Sequence, residues 1–147
     1  MANVVILEES PFDPFRLLAQ LETQLALPPG SFGATSIFIG TMRDLNEGDS
    51  VTELFLEHYP GMTESKIGDI LDHARKQWDI LDALVIHRIG HVLPNETLVV
   101  VAVWSAHRSN AYAANRFILE ELKHNVPFWK KESLKSGARW VEKNTPA

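Results

Sequence analysis

The segment ETLVVVAVWSA, residues 96–106, constrains the fold more than any other stretch. Its apolar residues are nearly continuous and mostly β-branched, which favours a strand over a helix. A strand that is apolar at consecutive positions, rather than at alternate ones, is typical of the interior of a sheet. We therefore expect a central strand here. The preceding β-branched run ALVIHRIG, residues 83–90, is expected to pair with it through a hairpin connection.

Three helices are expected around this strand. Asp13 before Pro14 is a good N-cap with proline at the first helical position, and the first helix stops at Pro28, Pro29 and Gly30. Thr63 can cap a second helix, whose apolar positions have the spacing of a buried stripe: Ile67, Ile70, Leu71, Ala74 and Trp78. A third helix is expected from near Ser109 to Pro127, with one apolar face: Ala111, Ala114, Ile118 and Leu122.

The remaining strands are predicted from shorter runs. We expect a strand over residues 4–7, another from Ala34 to about Thr41, and a partner for the latter in SVTELFLEHYP, residues 50–60. A last short hairpin is expected in the tail, with Ser136 and Gly137 as its turn. The length of 147 residues fits a single domain over residues 1–147. The fold class is therefore α+β, with a mostly antiparallel sheet and about three helices.

The composition excludes several function classes. Cysteine is absent, so the chain has no disulfide, thiolate metal site, cysteine nucleophile or persulfide carrier, and any sulfur chemistry must use sulfur from another molecule. The net charge of −5 argues against nucleic acid. No apolar run reaches membrane-spanning length, and the N-terminus lacks a basic region followed by a long apolar segment. We expect a cytoplasmic protein that does not bind membranes.

The charges are distributed unevenly along the chain. Residues 101–147 carry +4, whereas the first 100 residues carry −9. A basic segment on an acidic protein suggests a local site for an anionic small molecule or an acidic protein tail. The alternative is a basic end that is merely solvated.

Two lysines in the stretch LKHNVPFWKKE, residues 122–132, are candidates for catalysis. On a helical wheel Lys123 lies beside Tyr112, Arg116 and Leu119 rather than on the apolar stripe, free to face a cleft, and Lys130 follows seven residues later. Ammonium groups that share a pocket lower each other's pKa, and the rings of Phe128 and Trp129 would add desolvation in the same direction. A lysine tuned towards neutrality can act as a general acid or base. The alternative places the rings in the core and the lysines at its rim.

Two positively charged positions are candidates for anion binding. His107 and Arg108 lie between a buried strand and a helix N-terminus, where free N–H groups and an arginine fork suit a phosphate. The alternative is that Ser109 or Asn110 caps this helix. Arg43 follows the first long strand, a common location for ligand contacts.

Arg43 could equally pair with Asp44 or Asp49. The six histidines do not form a metal-ligand set, because His87 and His91 do not share a face in a strand and turn. No glycine-rich phosphate loop appears. We therefore expect neither a metal nor a cofactor.

Six ordered blocks together carry a family resemblance: GTMRDLNEGDSV, LFLEHYPGMTE, VIHRIG, SAHRSNAY, LKHNVPFWKKE and RWVE. In this order and spacing they closely resemble the catalytic large subunit of molybdopterin synthase, over roughly Gly33 to Glu142. The resemblance implies an α/β hammerhead-type fold and a sulfur transferase of molybdenum cofactor biosynthesis. The substrate would be cyclic pyranopterin monophosphate, converted to molybdopterin by installation of a dithiolene.

The resemblance also implies partners and site residues. The sulfur would arrive as a thiocarboxylate on the C-terminal Gly-Gly of a small ubiquitin-like subunit, and a central homodimer would carry one small subunit on each outer side, as a heterotetramer. By residue matching, Lys123 and Lys130 are the functional lysines, with Lys123 nearest the tail carbonyl and Lys130 assisting at the pterin. The substrate site would contain the remaining matched residues, with His107 and Arg108 at the phosphate and Glu132 orienting a lysine: Thr41, Met42, Arg43, His107, Arg108, Lys131 and Glu132.

One departure concerns the tail. Family members can carry an arginine shortly after the Trp-Val-Glu block, whereas Lys143 and Asn144 follow Glu142 here. Two other classes of function stay open at this point. One is a non-catalytic module that binds an acidic or Gly-Gly tail through the same groove. The other is a phosphate-handling hydrolase that uses Lys130 and His107.

Overall fold

A computed structural model describes residues 4–46, 48–134 and 137–141. Within them the chain forms three helices: α1 (Pro14–Leu25), α2 (Met62–Gln77) and α3 (Arg108–Asn125). The strands of the same residues are β1 (Val4–Glu8), β2 (Ala34–Thr41), β3 (Leu45–Asn46), β4 (Asp49–Glu57), β5 (Asp82–Arg88), β6 (Gly90–Val92), β7 (Thr97–Ser105), β8 (Trp129–Leu134) and β9 (Gly137–Trp140). The predicted α+β class with about three helices is confirmed.

The first sheet has the strand order β1-β5-β7-β2, so that the apolar run forms an interior strand. Strand β7 pairs antiparallel with both β5 and β2, whereas β1 pairs parallel with β5. The predicted hairpin connection between β5 and β7 is confirmed by their antiparallel pairing, although the short strand β6 lies between them in the chain.

Helices cover both faces of this sheet, which explains why β7 is apolar at consecutive positions. Val99, Val101 and Val103 pack with α2 and α3, whereas Val100 and Trp104 pack with α1 on the opposite face. Successive side chains of a strand point to opposite faces, so both sets must be apolar. The predicted helix stripes of α2 and α3 are buried here, apart from Trp78, which follows the end of α2 and is only partly buried.

The second sheet has the order β3-β4-β8-β9, with β6 paired to β4 as well. Its inner face forms a smaller core, in which Val51, Leu54, Leu56 and Val92 of this sheet pack with Met42, the residue after β2. The prediction that β4 is the partner of β2 is wrong, because β2 pairs with β7 instead. The reason is that β7, apolar on both faces, lies inside a sheet and has partners at both edges. Strand β4 has one apolar face and joins β8.

The N-terminal ends of α1 and α2 test the two capping predictions. The carboxylate of Asp13 accepts hydrogen bonds from the backbone N–H groups of Phe15 and Arg16, as expected of the N-cap of α1. The prediction that Thr63 caps α2 is wrong. The N-cap is Gly61, two residues earlier, and the helix begins at Met62, whereas the buried Thr63 hydroxyl accepts a hydrogen bond from the backbone N–H of Tyr59.

The last hairpin, β8 with β9, forms as predicted, but the expected turn at Ser136 and Gly137 is wrong for Gly137, which is the first residue of β9 and pairs with Leu134. Ser136 lies outside the described residues. Glu142, Lys143 and Asn144 lie outside them as well, so the departure in the tail is not tested. In the part of the chain that the structure describes, no helix is both long and apolar enough to cross a membrane.

Candidate active site

A cavity of about 960 Å³ lies where the two sheets and α3 meet. Its walls come from the edge strand β2, the exposed side of α3 and the inner face of the second sheet. An inner recess of about 40 Å³ shares part of this lining, including His87, Lys123 and Lys130, and adds Phe128. The cavity therefore combines an open, partly apolar region with an inner end that carries two lysines.

Lys123 and Lys130 reach this inner end from different elements. Lys123 is in the last turn of α3, on the side that borders the cavity, and Lys130 is the second residue of β8. Lys130 pairs with Leu56 of β4, whose side chain is buried in the inner core, and so it points inward. The predicted convergence of the two lysines in one cavity is present in the structure.

The surroundings of Lys130 make its ammonium group a stronger acid than that of an ordinary lysine. Desolvation by burial is the largest cause, the charge of Lys123 acts in the same direction, and Glu132 opposes both, so that the pKa of Lys130 is lowered from 10.5 to about 8. A lysine with a pKa of about 8 is mostly protonated at neutral pH yet releases its proton far more readily than an ordinary lysine. This is a group suited to proton transfer.

The two rings between the lysines have different roles. Phe128 lines the recess, and its ring stacks on His87 with 4.0 Å between the ring centroids. Trp129 instead lies on the outside, where its indole N–H donates to the hydroxyl of Tyr59 at 2.7 Å. The prediction that both rings form the wall of the cavity is therefore wrong for Trp129. Neighbouring residues of an extended chain point to opposite sides, so Phe128 and Lys130 share the inner side.

Glu132 is buried beside the cavity and is held by two partners. Its carboxylate accepts a hydrogen bond from the amide of Asn46 at 2.8 Å and forms an ion pair with Arg139 at 2.9 Å. The side chain also lines the cavity, and its charge favours the protonated form of Lys130. Its observed contacts are thus with β9 and the β3 segment, and its effect on Lys130 is electrostatic.

The other predicted site residues divide into two groups. Thr41, Met42 and Arg43 line the cavity at the end of β2. Lys131, His107 and Arg108 are not among its lining residues in the described part of the chain. Lys131 lies on the outer face of the second sheet, where its ammonium nitrogen is 5.7 Å from the ring centroid of Trp140.

His107 and Arg108 are at the start of α3 and are exposed. His107 is the N-cap residue of this helix and makes no side-chain capping hydrogen bond, so the alternative in which Ser109 or Asn110 caps α3 is wrong. Both side chains stand apart from the lysine pair of their own chain, which lies at the opposite end of the helix. Within one copy, the structure does not bring them to the cavity.

His87 lines both parts of the cavity but was not predicted as a site residue. The sequence feature that could have identified it is the alternation of side chains along β5. Ala83 and Val85 face α2 and α3, and His87 lies on the same face of the strand. His91 lies elsewhere, opposite Phe55 on β4, where its Nδ1 contacts the carboxylate of Glu53. Among the described residues, no group of three or more potential metal ligands is placed to hold an ion.

Fold and cavity together define an α+β protein with a basic, lysine-bearing pocket beside an edge strand. A sequence model of the family described as "MoaE protein" matches residues 7–125. The molybdopterin synthase catalytic subunit of Ralstonia nicotianae is 54% identical over 110 residues, which span 75% of this chain and 62% of that protein. The molybdopterin synthase catalytic subunit of Haemophilus influenzae is 46% identical over 138 residues, which span 94% of this chain and 89% of that one.

A solved structure agrees with these sequence comparisons. The molybdopterin biosynthesis MoaE protein of Burkholderia ambifaria superposes with a TM-score of 0.78 at 37% identity, covering 95% of this chain and 89% of that one. The chain belongs to the MoaE protein family.

Proposed function

We propose that this chain is the catalytic subunit of molybdopterin synthase, a sulfur transferase of molybdenum cofactor biosynthesis. It converts cyclic pyranopterin monophosphate to molybdopterin with sulfur from the thiocarboxylated C-terminus of a small ubiquitin-like subunit. Family membership and the name of the relatives, each of them a catalytic subunit, support the activity. The cytoplasmic location and the single domain expected from the sequence belong to the same proposal.

One observation carries the proposal: Lys123 and Lys130 converge at the inner end of one cavity in a chain that has no cysteine. Without a thiol of its own, the chain must receive sulfur from elsewhere. A protein tail that ends in a thiocarboxylate is anionic, as is a pterin phosphate, so both favour a pocket that holds ammonium groups. The cavity of about 960 Å³ has room for a bound small molecule together with the end of a peptide.

The two lysines take separate roles in this proposal. After the thiocarboxylate sulfur has bonded to the pterin, water attacks the acyl carbon, the acyl C–S bond breaks, the tail leaves as a carboxylate and the sulfur stays on the pterin. Negative charge develops on the acyl oxygen during this attack. The ammonium group of Lys123 stabilises that charge. Lys130, with a pKa lowered to about 8 by burial and by Lys123, exchanges protons with the pterin.

The phosphate contacts assigned to His107 and Arg108 require a second copy of the chain. In one copy these exposed residues lie at the opposite end of α3 from Lys123. In the proposed homodimer, within a heterotetramer, they would reach the cavity of the neighbouring copy. Each active site then uses the lysines of one chain and the anion-binding end of α3 of the other.

Reconstitution tests the activity directly. The purified chain is mixed with a thiocarboxylated small subunit and cyclic pyranopterin monophosphate, and dithiolene product is measured in a single turnover. Lys123→Ala should reduce the rate by more than about 100-fold, since general acid–base and charge-stabilising groups contribute at least that much. The matched control is Lys76→Ala at an exposed position in the last turn of α2, which should react at the normal rate.

The outcomes separate the other two classes of function. Tail binding without any product, by a chain whose fold is intact, would support the non-catalytic module. Turnover of a generic phosphomonoester without the small subunit would support the hydrolase. Near-normal sulfur transfer by Lys123→Ala would remove its catalytic assignment.

The contribution of a second copy has its own test. Lys123→Ala and Arg108→Ala chains are coexpressed with different affinity tags, and the mixed dimer is purified. If α3 of one copy completes the site of the other, one of the two sites in a mixed dimer has both groups intact. The mixed dimer should then be markedly more active than either parent, and equally low activity in all three samples would contradict the shared site.

A further inference from the structure

Three side chains form a bridge on the inner side of the second sheet. The carboxylate of Glu132 accepts a hydrogen bond from the side-chain amide of Asn46 at 2.8 Å and another from Nε of Arg139 at 2.9 Å. Arg139 also donates from Nη2 to the backbone carbonyl oxygen of Asn46 at 3.0 Å. Each of the three residues therefore contacts the other two, and both oxygens of the carboxylate have a partner.

The bridge joins the two edges of this sheet. In the strand order β3-β4-β8-β9, Asn46 belongs to one edge strand, Arg139 belongs to the other, and Glu132 is on β8. Backbone pairing alone attaches β3 weakly, because only Leu45 and Asn46 pair with β4. The position of β3 relative to the rest of the sheet thus depends on side-chain contacts between residues that are 86 and 93 positions apart in sequence.

The segment that the bridge holds carries Arg43 at the wall of the cavity. Before Arg43, the buried Met42 exchanges backbone hydrogen bonds with residues 95–96, and after it the carbonyl of Asp44 accepts from the backbone N–H of Val51 at 2.7 Å. Arg43 itself is exposed and, within the described part of the chain, forms no ion pair or side-chain hydrogen bond. Its backbone is therefore anchored on both sides, while its guanidinium group is available to an anion.

The same bridge connects this segment to the strand that carries Lys130. Glu132 and Lys130 are two residues apart on β8, and residues two apart on a strand point to the same side. Both of them line the cavity, as do Asn46 and Arg43. The bridge thus spans the distance between the cavity wall with the available arginine and the wall with the buried lysine.

From these contacts we propose that Asn46 and Arg139 are positioning residues that act through Glu132. They hold the backbone of Arg43 at a fixed place relative to Lys130, so that its guanidinium group meets the anionic substrate. The bridge is a property of the chain alone, whereas the identity of the anion as a pterin phosphate rests on the proposed function. Because the protein orders this segment in advance, less ordering is required when the substrate binds.

Two variants break the bridge in different ways. Asn46→Ala removes one donor to Glu132. Arg139→Lys keeps the positive charge but replaces the planar fork, which bonds the carboxylate and the Asn46 carbonyl together, by a single ammonium group. The control is Arg16→Lys at an exposed position of α1, where the same exchange of side chains is outside the bridge.

Amide hydrogen exchange of the chain alone tests whether the bridge holds the segment. In Asn46→Ala and in Arg139→Lys, the backbone N–H of Val51, which donates to Asp44, should exchange at least about tenfold faster than in the wild type. The amides of β7 should keep their rates in both variants, and Arg16→Lys should change none of these rates. Unchanged exchange of Val51 in the folded variants would overturn the proposal, and one folded variant is enough for this decision.

A double-mutant cycle tests whether the bridge acts through Arg43. Asn46→Ala should raise the KM for cyclic pyranopterin monophosphate about 5- to 10-fold and change kcat by less than about threefold, because a displaced guanidinium group weakens binding. In an Arg43→Ala background the same substitution should change KM by less than about twofold, since the group to be positioned is gone. A general weakening of the fold would raise KM by the same factor in both backgrounds, and that result would overturn the proposal.

The proposed function can fail without deciding this question. If the wild-type chain, supplied with the thiocarboxylated small subunit, does not convert the pterin, the same cycle is measured on the affinity for inorganic phosphate by NMR titration. A loss of affinity caused by Asn46→Ala in the wild-type background, but not in the Arg43→Ala background, would support the positioning role independently of the reaction. Equal losses in both backgrounds, or no loss in either, would contradict it.

Discussion

Lys123, in the last turn of α3, and Lys130, near the start of β8, border the same cavity, and the charge of the first lowers the pKa of the second. The three residues between α3 and β8, Val126, Pro127 and Phe128, do not hold the two lysines apart, because the chain reverses there and β8 returns to pair with β4. The pair is therefore a tertiary contact between neighbours in sequence. The electrostatic coupling of the two lysines can be measured without an enzymatic assay.

Removing the positive charge of Lys123 should raise the pKa of Lys130 from about 8 towards its ordinary value. We expect the Lys130 labelling midpoint to rise in Lys123→Met, because a like charge is lost while burial remains. Lys76→Met, on the exposed end of α2, is the control and should leave the midpoint where it is. A Lys130 midpoint that is the same in all three proteins would show that the two lysines are not coupled.

Lys130→Met should make the folded protein more stable at neutral pH while impairing sulfur transfer. A buried lysine whose pKa falls from 10.5 to about 8 destabilises the folded state when it is charged, and each pKa unit corresponds to about 1.4 kcal/mol. We expect the free energy of unfolding, measured in urea at pH 7, to increase by about 1–3 kcal/mol. In the wild type this destabilisation by Lys130 should decrease as the pH rises from 8 to 10.5, because the unfolded chain binds more protons than the folded chain in this range.

His87 should contribute an acid limb to the stability curve. Its pKa is about 4 in the folded chain and 6.5 for an ordinary histidine, so the unfolded state binds more protons between these values. Stability should therefore fall as the pH drops from 6.5 to about 4, by at most about 3 kcal/mol. Urea titrations at several pH values measure this limb, and it should be shallower in His87→Asn. Identical slopes in the two proteins would contradict a histidine that is buried in its neutral form.

Glu132→Gln should weaken the second sheet and lower the pKa of Lys130 further. The buried carboxylate holds Asn46 and Arg139, and its charge is what raises the pKa of Lys130 against burial. We expect a loss of about 1–3 kcal/mol of unfolding free energy, because a part-buried guanidinium loses its ion partner. Labelling of Lys130 should show a lower midpoint. Glu9→Gln, at an exposed position just after β1, is a control outside this network and should change neither quantity.

Local pattern was sufficient for much of the fold. The apolar run of β7 predicted an interior strand because both faces of such a strand must be covered, and the stripes of α2 and α3 predicted their buried faces. The pairing of β2 could not be read in this way. Any strand with one apolar face can lie against several partners, and the choice of β7 over β4 depends on which edges the whole sheet leaves open.

The same distinction between local sequence pattern and tertiary structure applies to the site. Residue types alone determined that any sulfur chemistry of this chain must use sulfur from another molecule, that its basic residues lie towards its C-terminal end, and that Lys123 and Lys130 are candidates for catalysis. Only the tertiary structure decided that Phe128 and His87 line the same recess as the two lysines, while Trp129 faces away from it. It also decided that His107 and Arg108 lie at the other end of α3, away from the cavity of their own chain. The reason is that composition and periodicity act along the chain, whereas desolvation and charge coupling depend on distances between segments that the chain brings together only when it folds.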